Sequence, residues 1–222
     1  MFPRTAATIA CLLATAALLW HVPTAGAATS PATAQGQITA RPVDAIATLD
    51  LSRYMGQWYE IAKYPNWFQK QCVAETVAQY TLLASGRVRV TNRCRLANGE
   101  MDEAIGTARQ VGPANSPKLQ VRFAPAWLSF IPAVWGDYWV LDLDPAYRLV
   151  AVGEPSRKYL WVLARTPSVS TADYQALLRR LEARGFDVKK LELTRQKVVM
   201  GSPSRATTSG ATLVVPVAAC AC

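Results

Sequence analysis

Gly56-Gln57-Trp58-Tyr59-Glu60, led in by Leu51-Ser52-Arg53-Tyr54-Met55, opens a run of short stretches in which apolar and polar side chains alternate. Alternation with a period of two marks a strand with one face buried, and turn residues separate each stretch from the next. The stretches cover residues 56–64, 76–83, 87–94, 101–110, 119–123, 137–143, 148–154 and 159–165. Eight consecutive strands with short links predict an all-β fold, an eight-stranded antiparallel up-and-down β-barrel. The first and last strands of a closed barrel are neighbours, so Trp58 at the start of the first and Arg165 at the end of the eighth share one place. There the guanidinium can lie over the indole as a cation–π lid, closing the barrel base rather than touching a ligand.

The link Ala84-Ser85-Gly86 reads as a tight hairpin turn with Gly86 able to take positive φ. Folding that hairpin brings Cys72 and Cys94 towards one end, where a disulfide would pin its base, although the register needs a bulge or bend to bring them level. After the eighth strand, Ser170-Thr171-Ala172-Asp173 caps an amphipathic helix carrying Tyr174, Leu177, Leu178 and Leu181, with Gly185 as its stop. Residues 186–193, from Phe186 to Leu193, alternate again as a short terminal strand.

The two ends have a different composition. Residues 1–27 show the three zones of a secretory signal: Arg4, an uncharged apolar run, and small residues ending at Ala27. The alternative is an uncleaved membrane anchor, but Ala and Thr dominate the run. Cys11 lies too early in it to be the cysteine of a lipoprotein signal, so the expected N-terminus is an unlipidated Ala28. Residues 28–47 read as a flexible leader and 48–197 as the barrel domain. Residues 198–222 form a loosely packed tail whose Cys220 and Cys222 are either linked locally or free. Export places the protein in an oxidising compartment, periplasmic or outer-membrane associated, which favours a Cys72–Cys94 disulfide.

Charge and histidine content exclude several classes. The chain carries a net charge of +9, about +8 once the signal with its single Arg4 is removed, and such a surface attracts anionic headgroups or polyanions. The basic residues (Arg87, Arg89, Arg93, Arg95, Arg157, Lys158, Lys189, Lys190) are scattered, which argues against a nucleic-acid patch. The single histidine, His21, falls within the signal. The exported chain therefore lacks an imidazole for a nucleophile pair, a general base or a metal ligand, and neither metal nor cofactor is expected.

The motifs carry a resemblance. Gly56-Gln57-Trp58-Tyr59-Glu60-Ile61-Ala62, Gly136-Asp137-Tyr138-Trp139-Val140-Leu141 and Tyr159-Leu160-Trp161-Val162-Leu163-Ala164-Arg165-Thr166-Pro167 resemble, in that order, the three motifs of the lipocalin family. Gly153-Glu154-Pro155-Ser156-Arg157-Lys158 is also similar to its bacterial, plant temperature-induced and apolipoprotein D-like branch. In this resemblance Gly56, Trp58, Asp137, Tyr138 and Arg165 are fold markers. It implies a carrier of fatty acids or lysophospholipids in membrane maintenance, with no catalytic residue.

Function should lie in the barrel interior, where every second side chain points. If Trp58 faces inward, so do Glu60 and Ala62. A carboxylate there must be neutralised, paired with a neighbour or met by a ligand headgroup. Alternation adds Tyr80, Val90, Trp139 and Leu141 to the wall, an apolar and aromatic lining suited to an acyl chain. The loop from Phe123 to Trp135 is apolar without strand patterning. It could cover the barrel mouth, join a homodimer, touch a bilayer surface or fold inward as a satellite core. Two rivals to the lipid carrier are a pigment or haem carrier, with Tyr or Met as any iron ligand, and a lipocalin-fold isomerase. Absence of histidine counts against the enzyme.

Overall fold

A computed structural model describes residues 42–197; the expected signal, most of the leader, and the tail with Cys220 and Cys222 lie outside them. A short helix α1 (Leu51–Tyr54) leads into β1 (Gly56–Lys63), β2 (Cys72–Leu82), β3 (Val88–Leu96), β4 (Met101–Gln110) and β5 (Lys118–Arg122). There follow β6 (Gly136–Leu143), β7 (Leu149–Gly153), β8 (Leu160–Ala164), α2 (Thr171–Ala183) and β9 (Glu192–Leu193). Each strand pairs antiparallel with the next, and β8 returns to pair with β1, closing an eight-stranded barrel. β9 lies along the upper part of β1. The expected terminal strand over 186–193 shrinks to these two residues, because Val188–Lys190 forms a 3-10 turn whose N-cap Asp187 accepts from Lys189 N–H.

The chain packs earlier than its composition announces. Val43 is buried in the outer core and Ile46 N–H donates to Val140 O (2.9 Å), so the end of the Pro- and Ala-rich leader docks on the barrel. At the other side, Ser170 caps α2 by accepting from Asp173 N–H, and Tyr174, Leu177 and Leu181 are its buried face. They pack on the outer surface of β1, β7 and β8 through Ile61, Ala151, Leu160 and Val162. Each large apolar side chain so buried contributes about 1.5–3 kcal/mol. Arg180 fixes the helix azimuth by donating through Nε and Nη2 to both oxygens of Asp142 (2.8 and 2.9 Å). A second core fills the lower barrel with Trp58, Tyr80, Val88, Val90, Leu119, Val140, Val150 and Leu163.

The Cys72–Cys94 disulfide is present, with Cα atoms 5.4 Å apart. β2 begins at Cys72 rather than near residue 76, and the needed offset is absorbed by two register shifts between Cys72 and Val77, with Glu75 at φ 53°.

Candidate functional site

The meander puts the β1–β2, β3–β4, β5–β6 and β7–β8 links at one end of the barrel and α1 with the remaining hairpins at the other. The second end is closed. Arg165 Cζ lies 3.9 Å from the Trp58 ring centroid, and the guanidinium donates to Gln57 O (2.9 Å), Arg53 O (2.8 Å) and Tyr147 O (3.2 Å). Trp58 Nε1–H donates to Tyr54 O (2.8 Å). Gly56 holds φ +94°, and a Cβ there would stand 3.2 Å from Arg165 Nη1, so a glycine suits both the backbone and the arginine.

Above this base the barrel encloses a cavity of about 720 Å³, within the roughly 300–1,000 Å³ typical of small-molecule sites. Tyr54, Tyr80, Val88, Val90, Ala108, Leu119, Val121, Tyr138 and Leu163 form its lower wall. Glu60, Gln69, Thr76, Asn92, Trp161 and the Cys72–Cys94 pair line the part towards the loops. Of the residues that alternation assigned to the wall, Glu60, Tyr80 and Val90 lie on the cavity. Trp139 and Leu141 do not: both face the outer core under α2, and Trp139 stacks beneath Lys118 Nζ, 4.0 Å from the ring centroid. Tyr138 takes the inward position. Ala62 also lies outside, because β1 carries a bulge between Glu60 and Ala62 that reverses the faces beyond it. Asp137 is exposed at the open end of β6, with Oδ1 3.4 Å from Gln120 Nε2.

Glu60 is buried, and among the described residues it has no arginine partner. Oε2 accepts from Gln69 Nε2 (3.0 Å) and Oε1 from Thr194 Oγ1 (2.6 Å). Burial raises its carboxyl above the ordinary value of 4.5, opposed by those two hydrogen bonds and by Lys63. Gln69 Oε1 accepts from Trp161 Nε1 (2.9 Å) and Asn66 Nδ2 (2.8 Å), so Glu60 ties the β1–β2 loop to the barrel wall. Thr194, Arg195 and Gln196 bridge β1 and β2 above their last direct pair: Thr194 N–H donates to Ile61 O, Glu75 N–H to Arg195 O, and Gln196 Nε2 to Glu60 O and Thr76 O. Sequence reasoning missed this seam, since a polar Thr194-Arg195-Gln196 after a helix gives no pattern.

The β5–β6 loop does not fold inward as a satellite core. Trp135 anchors it, with Nε1–H donating to Ser129 O (2.9 Å) and Arg109 Cζ 4.1 Å from its ring centroid. Ahead of that anchor, two 3-10 turns (Ala126–Leu128 and Pro132–Val134) leave Trp127 and Phe130 72% and 77% exposed. Trp67 on the β1–β2 loop is 75% exposed at the same end. Among the described residues no helix is long and apolar enough to cross a membrane.

Known proteins agree with this geometry. A lipocalin-like domain model matches residues 49–196. Temperature-induced lipocalin-1 of Arabidopsis thaliana is 39% identical over 158 residues, covering 70% of this chain and 84% of that protein. Outer membrane lipoprotein Blc of Escherichia coli (strain K12) is 33% identical over 157 residues, 70% of this chain and 84% of its own length. Apolipoprotein D of Macaca fascicularis is 32% identical over 169 residues, covering 73% and 84%. Among solved structures, insecticyanin from the tobacco hornworm Manduca sexta shares the fold at TM-score 0.55 and 20% identity, covering 70% of this chain and 85% of that one. With a barrel closed by Trp58 and Arg165, an apolar calyx and relatives of this kind, the chain belongs to the lipocalin family, whose members generally bind small hydrophobic ligands.

Proposed function

We propose that this protein is a non-catalytic carrier of a single acyl chain, as a fatty acid or lysophospholipid, exported to the cell envelope. The observation that carries the reading is the cavity itself: a largely apolar tube, closed at its base, with its carboxylate and amide groups gathered towards the open end and only tyrosine hydroxyls at the floor. An acyl chain fills such a tube while its head stays near Glu60, Gln69 and Asn92. Glu60 favours a zwitterionic head over a second carboxylate, because like charges in a poorly solvated site oppose each other's ionisation. The exposed Trp127 and Phe130 suit contact with a bilayer surface from which the chain is taken. Export rests on the signal in residues 1–27 and on likeness to proteins named outer membrane lipoproteins. Mass analysis of the exported protein should find an unlipidated Ala28 at its N-terminus; a diacylated cysteine there overturns that part.

The direct test is a tryptophan-fluorescence titration with fatty acids and lysophospholipids of increasing chain length. Each buried methylene gains about 0.8 kcal/mol, so affinity should rise about fourfold per carbon and then level off when the cavity is full. Val90→Glu, which places a charge on the inner wall, should weaken every member at least tenfold. If no member binds more tightly than about millimolar, the carrier reading fails.

A further inference from the structure

Three phenols meet at the floor of the cavity. Tyr138 Oη lies 2.7 Å from Tyr54 Oη and 3.0 Å from Tyr80 Oη. These hydroxyls have no other polar partner among the described residues. Three hydroxyls carry three protons, and two oxygen–oxygen contacts consume two of them. Whichever way the chain of hydrogen bonds runs, one O–H is left without a protein acceptor, in a wall that is otherwise apolar. A buried donor without an acceptor is costly, whereas the same donor is an asset to a ligand that brings one.

We propose that this tyrosine floor is a subsite for a neutral oxygen, a hydroxyl or carbonyl, at the far end of the elongated apolar ligand. The proposal rests on the carrier reading only for the identity of the chain that delivers the oxygen. The subsite does not suit a carboxylate. Arg165, the cation whose charge is felt at Tyr54 and Tyr80, sits across the Trp58 ring with a donor on each of its three nitrogens committed to a backbone carbonyl, so a carboxylate on the floor would be a buried charge without a direct ion pair. Burial holds all three phenols above their ordinary value, Tyr80 up to about 12, so the floor stays a proton donor across the physiological range. It thereby separates chains oxygenated at the tip from plain chains of the same length.

The experiment compares plain fatty acids of 12 to 18 carbons with their ω-hydroxy counterparts, on the wild-type protein and on the Tyr54→Phe/Tyr80→Phe/Tyr138→Phe variant. Against an apolar floor, a terminal hydroxyl weakens binding about tenfold or more, because it leaves water and finds no partner. In the wild type, at the length that reaches the floor, the ω-hydroxy acid should match or exceed the plain acid. In the triple variant it should fall at least tenfold behind. If the triple variant does not fold, chain length supplies the control: in the wild type an ω-hydroxy acid too short to reach the floor sets its hydroxyl against the apolar wall and should fall at least tenfold behind its plain counterpart, a loss that the floor-reaching length escapes. A headless pair, 2-acetylnaphthalene against 2-ethylnaphthalene, isolates the floor from the acyl reading. Preference for the ketone in the wild type and its loss in the variant upholds the floor even where no fatty acid binds, in which case only the carrier reading falls. Plain acids that bind while every ω-hydroxy acid is about tenfold weaker, together with no ketone preference, overturn the floor and leave the carrier reading intact.

Discussion

Arg165→Ala separates holding the barrel shut from holding a ligand. The side chain donates to three main-chain carbonyls, of Arg53, Gln57 and Tyr147, and covers the Trp58 ring at 3.9 Å. The first two hydrogen bonds lie at the exposed base, where water can replace the donor, so each is worth about 0.5 kcal/mol. The bond to Tyr147 O is partly buried and charge-assisted, about 1.5 kcal/mol, and the cation–π contact adds about 1 kcal/mol. The sum is about 3–4 kcal/mol, which for a domain of this size lowers the melting temperature by about 10 °C. Arg165→Lys keeps the charge but not the fork, and should recover less than half. Thermal unfolding followed by near-ultraviolet circular dichroism gives the stability, and a lipid titration well below the transition gives the affinity. Because Arg165 does not line the cavity, affinity should stay within about twofold of wild type. A destabilisation under about 1 kcal/mol, or a tenfold loss of affinity in a fully folded variant, would refute the reasoning.

The disulfide joins Cys72 and Cys94 across a sequence separation of 22, so Cys72→Ser/Cys94→Ser should cost about 3 kcal/mol in denaturant unfolding, and reduction of the wild type should give a similar loss. For Glu60, whose folded value lies above the unfolded one, the contribution to stability is present below pH 4.5 and is lost as pH rises through the folded value. Glu60→Gln removes that loss, so its melting temperature should gain on the wild type between pH 4 and pH 7; a constant difference across that range contradicts the assignment. Trp127→Ser/Phe130→Ser should reduce partition onto vesicles containing anionic lipid at least tenfold, since each ring offers about 1.5–3 kcal/mol of burial. Its unfolding temperature should stay within about a degree, because neither ring is packed; equal partition by both proteins excludes the loop from membrane contact.

Trp58, Arg165, the eight alternating stretches and the Ser170 cap were legible in the chain because their signals are local or repeat with a fixed period. A strand of period two, a helix stop at Gly185 and an aromatic paired with an arginine at opposite ends of a barrel need no coordinates. The sequence by itself therefore determined the closed barrel, its plugged base, the Cys72–Cys94 pairing and the apolar character of the interior. Only the tertiary structure decided which side chains reach that interior. Bulges in β1 between Glu60 and Ala62 and in β6 between Val140 and Asp142 each shift the register. A shift of one residue exchanges the two faces, which is why Ala62 packs under α2. In β6 the faces alternate regularly from Tyr138 to Leu141 ahead of the bulge, and it is the phase of that strand on the curved wall that sets Tyr138 and Val140 within and Trp139 and Leu141 in the outer core. The meeting of Tyr54, Tyr80 and Tyr138 was equally invisible, because three hydroxyls from a short helix and two strands that are not neighbours around the barrel come within hydrogen-bonding distance only when the wall curves round to bring them together.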